Sequence, residues 1–381
     1  MFILGTGPIK GFATTLVIGI CTSMFSAIFI TRLVFEIYLN RNSALTFATK
    51  VSEGAFKKIN LNYIKSRKYF YFLSGAMVVI GIVSLVTKGL DEGVDFSGGR
   101  NYIIQFEKPV NTVEVADQLE GSLGVRPTVI TFGTNDKVRV TTKYGIESTD
   151  QEMSEKIQQL LYTGLKPIIG NDVQYSDFTA NYIQGIQLVG PTIADDIKRE
   201  SYIALTVALI FMFLYIGSRF RNWRFGLGAI ASLAHDAFFV IMMFSLLYGL
   251  LPFSMEIDQT FIAAVLTIVG YSVNDTVVIF DRIREYRKLH PKMEYGALMN
   301  SAINDTFSRT IITSLTVLIT VAIIFFYTGE SVMGFAFAMF IGLVSGIYST
   351  IFIATSFVYD MQPKKVKAVA ASNKEVKAAV K

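Results

Sequence analysis

The chain has one cysteine, Cys21, and two histidines, His235 and His290, among 381 residues. Cys21 lies inside an apolar run, so a disulfide-stapled scaffold is excluded. Two separated histidines give no Cys/His metal cluster, and no metal site is expected. Charge is also scarce. Only 17% of residues are charged, against roughly 25% in an average soluble domain. There is no GxxxxGK[ST] run to cradle nucleotide phosphates, no HExxH and no GxSxG, so the common ATPase, zinc-hydrolase and serine-hydrolase signatures are missing.

Apolar sequence is abundant. Hydrophobic residues make up 52% of the chain, and the mean hydropathy is +0.46. A single soluble core stops growing near ~250–300 residues, so this much apolar surface has to face lipid. The 31 Phe and 18 Tyr exclude intrinsic disorder. A helix crosses the hydrocarbon with about 20 apolar residues. Seven stretches meet or approach that length: 11–31, 69–87, 201–217, 225–249, 259–280, 310–328 and 331–359. Only two carry ionisable groups, His235 with Asp236 in the fourth and Asp275 in the fifth. Gly342 and Gly346 form one GxxxG spacing in the seventh, a pattern that lets helices approach closely.

The distribution of Lys and Arg sets the expected orientation. Segments 32–68, 218–224, 281–309 and 360–381 together hold 23 basic and 8 acidic residues. Segment 90–200 holds 10 basic and 17 acidic residues. The basic segments are expected inside, with the C-terminus, and 90–200 outside. The pI near 9.0 is then a topology signal and a contact for anionic lipid, with no nucleic-acid footprint. Residues 1–10 lack the basic start of a signal peptide. An outside N-terminus directly before a span implies that the chain starts mid-protein.

Segment 90–200 alternates like a small α+β domain. Strands are expected at 100–106, 128–132, 137–142 and 182–189, and helices at 111–122 and 149–162. The order β-α-β-β-α-β is the ferredoxin-like arrangement. No nucleophile–base pair occurs in it, and its acidic surface reads as a solvated face. GVDFSGG (93–99) lacks phosphate-loop spacing, and its glycines are expected to shape the turn joining a span to the first strand.

A formal charge inside a span costs about 2.5–3.5 kcal/mol on insertion scales, which makes such a group a functional candidate. Asp275 stands six residues from Asp281, so about 9 Å inside the basic edge at ~1.5 Å per residue. Arg309 opens the next span and is expected to reach inward and pair with Asp275. Low-dielectric burial favours a neutral acid and a neighbouring guanidinium favours the carboxylate. A balance of the two suits a group that loads and unloads protons, with Ser272, Asn274, Thr276, Thr313, Ser314 and Thr316 to wet the path. Plainer readings stand beside this one. Asp281, Arg282 and Arg284 read as interfacial anchors, Arg309 alone as an ordinary positive flank, and His235 with Asp236 as a hydrogen-bonded packing pair.

The motifs then point to a family. GVDFSGG (93–99), VGP (189–191), LAHD (233–236), YSVNDTVVIFDRIRE (271–285), SRTIITSLT (308–316) and IGLVSGIYSTIFIA (341–354) resemble those of the SecF family. That family is the partner of SecD in bacterial protein export, within the RND superfamily of proton-driven transporters. GTGPIKGFATTLVIGICTSMFSAIFITRLVFE (5–36) resembles SecD's last span, so the chain resembles the C-terminal part of a fused SecD–SecF protein. The resemblance implies a polytopic α-helical, RND-like membrane protein. Its parts would be a SecD-like last helix (1–42), a basic cytosolic linker (43–68) and a first SecF-like span (69–89). An extracytoplasmic ferredoxin-like domain (90–200), a five-span bundle (201–359) and a basic tail (360–381) would follow.

Proton relay roles are implied for Asp275 and Arg309. Supporting polar roles fall on Asp236, His235, Asn274 and Thr276, and motif roles on Gly93, Asp95, Gly98, Gly99, Gly190 and Pro191. The implied function is a non-enzymatic export subunit of the bacterial inner membrane, using protons as coupling ion and no cofactor. Implied partners are the SecD half, the SecYEG translocon, YajC, membrane lipids and unfolded polypeptide. Two alternatives remain open at this point: an RND-type efflux transporter of small apolar molecules, and a translocon scaffold that conducts no protons.

Overall fold

The computed structural model describes residues 7–41 and 60–363, apart from 133, 149, 252 and 329. Most of the basic linker (through residue 59) and the basic tail beyond 363 lie outside the described residues.

Seven helices are long and apolar enough to cross a membrane: Ala13–Asn40, Tyr63–Thr87, Pro191–Phe220, Trp223–Leu247, Gln259–Leu289, Tyr295–Tyr327 and Val332–Asp360. In chain order, α1 (Gly7–Phe25) and α2 (Thr31–Asn40) build the first, joined by a π-helical turn at Ser26–Ile30. The second is α3 (Tyr63–Thr87). The outer region follows: α4 (Val94–Ser97), β1 (Gly99–Gln105), α5 (Thr112–Leu123), β2 (Thr128–Phe132), β3 (Thr134–Thr142), α6 (Gln151–Ile169), α7 (Tyr175–Asp177) and β4 (Ile183–Val189). Then come α8 (Pro191–Phe220), α9 (Trp223–Leu247), α10 (Gln259–Leu289), α11 (Tyr295–Tyr327), α12 (Glu330–Ser349) and α13 (Thr355–Asp360). A π-helical turn at Thr350–Ala354 links the last two.

Burial sorts the bundle. The most apolar window of the α12–α13 span is 67% buried and that of α10 is 56%, whereas α3, α8 and α11 reach 17% and the first span 6%. The two buried acids lie on well-buried helices, Asp275 on α10 and Asp236 on α9, which is 44% buried, and the least buried helices present Leu, Ile, Val and Phe outward, as lipid-facing helices do. Side-chain caps start several helices, satisfying N–H groups that have no intrahelical partner. Asn62, Asn222 and Asp258 accept from the backbone N–H of Lys65, Arg224 and Phe261.

Several helices run well past the apolar stretch read from sequence. α10 continues to Leu289 and α11 begins at Tyr295. Their polar turns are held by ion pairs: Arg282 to Glu285 and Asp305, both at 2.7 Å, and Asp281 to Arg284 at 2.8 Å and Arg219 at 3.3 Å. The residues expected as interfacial anchors therefore form a charged collar.

The outer sheet has the strand order β2-β3-β1-β4, and every neighbouring pair is antiparallel. With α5 and α6 packed together on it, this is the ferredoxin-like topology. Tyr102, Ile104, Leu119, Val138, Val140 and Leu161 are all 0% exposed, a filled two-layer core.

Two glycines set the entry to β1. Gly98 has φ +69° and Gly99 φ +136°, conformations open to glycine and costly for other residues. A Cβ on Gly99 would also stand 3.0 Å from the Thr142 carbonyl oxygen on β3. Gly99→Ala is therefore expected to destabilise the outer domain by about 1–3 kcal/mol, the cost of a strained backbone site. Denaturant unfolding followed by tyrosine fluorescence checks this, and an unchanged midpoint would contradict it.

Candidate functional site

α10 carries the candidate acid. Asp275 is 7% exposed. Its Oδ2 accepts a hydrogen bond from Ser314 Oγ on α11 at 3.3 Å. Arg309 does not close the pair expected from sequence: no ion pair of 4.0 Å or less joins it to Asp275 among the described residues. Arg309 is exposed, and it lines a cleft of about 550 Å³ with Asp281, Glu285, Lys288, Asp305 and Thr306. The reason is solvation. In the cleft the exposed guanidinium stands open to solvent, whereas insertion between helices would strip its hydration. The cleft's inner wall includes Val278, three residues along α10 from Asp275, or about 4.5 Å of rise.

Asp236 on α9 has a richer environment. It is 0% exposed. Ser272 of α10 and Ser349 of α12 donate to its Oδ2, and Ser345 of α12 donates to its Oδ1, each at 2.7 Å. Ser232 Oγ donates to Ser349 Oγ at 2.8 Å. One carboxylate thus ties three helices together. The expected His235–Asp236 hydrogen bond is absent: the His235 Nδ1 lies 3.6 Å from Oδ1, beyond hydrogen-bond range. The serines take that place because they reach the carboxylate from facing helices, while His235 packs its ring near Phe239 and Tyr348.

The GxxxG spacing explains how α12 comes so close. A methyl on Gly342 would run into Ile268 of α10, and one on Gly346 would stand 3.3 Å from Ser272 Oγ. Small residues on this face let Ser345 and Ser349 reach Asp236. Thr276, fully buried, extends the polar seam: its Oγ1 lies 2.9 Å from Thr350 Oγ1. Asn274 is exposed, on the side of α10 away from Ser272, and takes no part in this seam.

The motif residues meet where the sheet joins the helix bundle. Gly93 caps α4, and its N–H donates to the Ile257 carbonyl at 3.0 Å. Asp95 is buried and accepts from Gln187 Nε2 of β4 at 3.0 Å and from the Gln259 N–H at 3.2 Å. Gly190 and Pro191 start α8. A Cβ on Gly98 would lie 3.4 Å from Pro191 Cα and from the Val189 carbonyl oxygen. GVDFSGG and VGP, some 90 residues apart in sequence, therefore form one knot. Its basis is the pairing of Gly99 with Val189 across β1 and β4.

Sequence reading had found Ser272 and Ser314 as polar lining but missed Ser345 and Ser349 as ligands of Asp236. The available signal was their i, i+4 spacing on the face that carries Gly342 and Gly346. Glu256 and Asp258 read in the sequence as a short acidic loop on the side opposite the basic segments, but nothing there signals that Arg139 and Glu256 join the sheet to the bundle at 3.8 Å.

Known proteins share this arrangement. Residues 171–364 match the family described as protein export membrane protein SecD/SecF, C-terminal, and residues 83–110 match the SecD/SecF GG motif. The chain is 41% identical over 310 residues to protein translocase subunit SecF of Rhodothermus marinus, covering 81% of this chain and 96% of that one. It is 33% identical over 374 residues to protein translocase subunit SecDF of Bacillus subtilis, covering 93% of this chain and 47% of that one. The crystal structure of SecDF from Thermus thermophilus, a translocon-associated membrane protein, superposes with a TM-score of 0.77 at 29% identity. It covers 94% of this chain and 46% of that one. The chain spans about half the length of these fused relatives. On the matched motifs, the seven spans and the shared architecture, the chain belongs to the SecD/SecF family of protein export membrane proteins.

Proposed function

We propose that the chain is the SecF-type part of a protein-export machine, coupling proton flow through the bundle to completion of polypeptide translocation. The observation that carries this reading is Asp275. It is a buried acid in the middle of a span, hydrogen-bonded on one side to Ser314 and separated by about one turn from a water-open cleft holding Arg309. A group so placed takes a proton when shielded and releases it when the cleft opens to reach it. Arg309 stays charged throughout and turns between the acid and water.

The basic collar lies on the cytosolic face of a bacterial inner membrane, and the ferredoxin-like domain faces the other side. A SecD half supplies the rest of the proton path. The SecYEG translocon, YajC, anionic lipid and the emerging unfolded chain are the remaining contacts, and protons serve as the coupling ion with no further cofactor. The packed core of the outer domain favours this reading over efflux of small apolar molecules, which calls for an apolar binding chamber there.

The test is export in inverted membrane vesicles with and without a proton gradient, in the presence and absence of the protein together with its SecD half. Gradient-stimulated completion that depends on the protein is expected. Unchanged stimulation without it would overturn the reading, and selective sensitivity of cells to apolar drugs with intact secretion would favour efflux.

A further inference from the structure

The seam between outer sheet and bundle gathers acids from several elements around one cation. The backbone forms a strap there. The Ile257 N–H donates to the Asp91 carbonyl at 2.7 Å, and the Gly93 N–H donates to the Ile257 carbonyl at 3.0 Å. Four carboxylates flank the strap. Asp91 comes from the α3–α4 connection, Asp95 from α4 and Glu256 from the α9–α10 loop, while Asp258 caps α10. Arg139 of β3 approaches Glu256 at 3.8 Å, and its guanidinium lies 4.8 Å over the Phe132 ring. The Glu256 side chain is 10% exposed and that of Arg139 is 19%, so water screens them weakly.

The other facing groups are few. Tyr248 at the end of α9 senses Asp91 and Glu256, and Lys143 beyond β3 attracts Asp91. Glu92 pairs with Lys198 of α8. α12 contributes the uncharged Gly334 and Phe335 to the same small cavity.

We propose that this seam is a pH-operated joint: with its acids neutral the outer sheet seats on the outer end of α10, and with them ionised it is driven off. Burial, opposed by Arg139 and reinforced by Asp91, Asp258 and Asp95, pushes Glu256 from 4.5 up to about 7. Burial also raises Asp91 and Asp95 above the usual carboxylate range. The sign follows by linkage. A group raised in the seated state favours seating fully below its free value of 4.5, and that contribution is lost as pH rises through about 7. Inside that window Glu256 by itself changes the seated-to-separated ratio by at most ~10-fold per pH unit. Asp258 begins the helix that carries Asp275, 17 residues on, or roughly 25 Å of rise. Movement at the joint therefore bears on α10. Its use in export rests on the proton-driven reading above, whereas the pH response itself does not.

Spin labels on the purified full chain in lipid nanodiscs test the joint without any export assay. Cys21→Ser removes the native thiol, and Lys137→Cys on β3 with Leu250→Cys beside α9 carries the labels. From pH 5 to pH 8 the ratio of short to long distances should fall on the order of tens-fold. Glu256→Gln should hold the short distance across the range, and Arg139→Gln should deepen the loss at pH 8. A distance distribution independent of pH would overturn the proposal, as would Glu256→Gln separating like the unmodified chain. Neither outcome touches the assignment of Asp275.

Discussion

Asp275→Asn is expected to reduce gradient-stimulated export to the level reached with no gradient, while the protein stays folded. Asparagine keeps the size of the side chain and still accepts from Ser314 through its carbonyl oxygen, so the α10–α11 contact survives. What it loses is the ability to gain and release a proton. The residual gradient-free export measures everything else the protein does, including any scaffold role. Arg309 gives a graded companion. Arg309→Lys keeps the charge in the cleft but loses the planar fork that binds a carboxylate by two parallel bonds, so partial loss is expected. Full gradient dependence in Asp275→Asn would remove Asp275 from the proton path.

Gly342→Leu is expected to destabilise the membrane bundle by about 3 kcal/mol or more. Two costs add. Overpacking a filled interface costs about 1–3 kcal/mol, and Ile268 stands where any side chain on Gly342 would go. Pushing α12 away also breaks the Ser345 and Ser349 bonds to Asp236, each worth about 0.6 kcal/mol on average inside a membrane. Gly270 is the control. It lies on α10 with open space around its Cα, so Gly270→Leu should change stability by under about 0.5 kcal/mol. Thermal melting in mild detergent compares the two. Equal melting temperatures for Gly342→Leu and Gly270→Leu would contradict the close-packed seam.

Hydropathy alone located all seven spans, because lipid leaves a long uncharged run wherever a helix meets it. It misplaced several ends. α8 starts at Pro191 and α11 at Tyr295, a full two turns or more before the apolar stretches at 201 and 310. Those turns are helical through caps, ion pairs and packing against neighbours, none of which hydropathy registers. The outer domain was legible to within a few residues. The exceptions were the single-turn α4, hidden in a glycine-rich motif, the end of α6, which continues through Pro167 to Ile169, and the short α7 with the π-helical turn Phe178–Tyr182 after it.

The site was legible in part. Asp275 and Asp236 stood out because charge is rare in a span. The relation between Asp275 and Arg309 did not follow from sequence, since whether a long side chain turns inward or toward water depends on the cleft beside it. The ring of serines around Asp236 was hidden for a similar reason. Ser272, Ser345 and Ser349 are small, uncharged and up to 113 residues from Asp236. Only their placement on facing helices makes them ligands.

The central claim is that protons cross the bundle by way of Asp275. Proton flux into proteoliposomes holding the complete SecD–SecF assembly, followed by a pH-sensitive dye under an imposed gradient, tests it most directly. The account predicts inward flux with the unmodified protein and only the leak of empty liposomes with Asp275→Asn. Equal flux in the two preparations would contradict it.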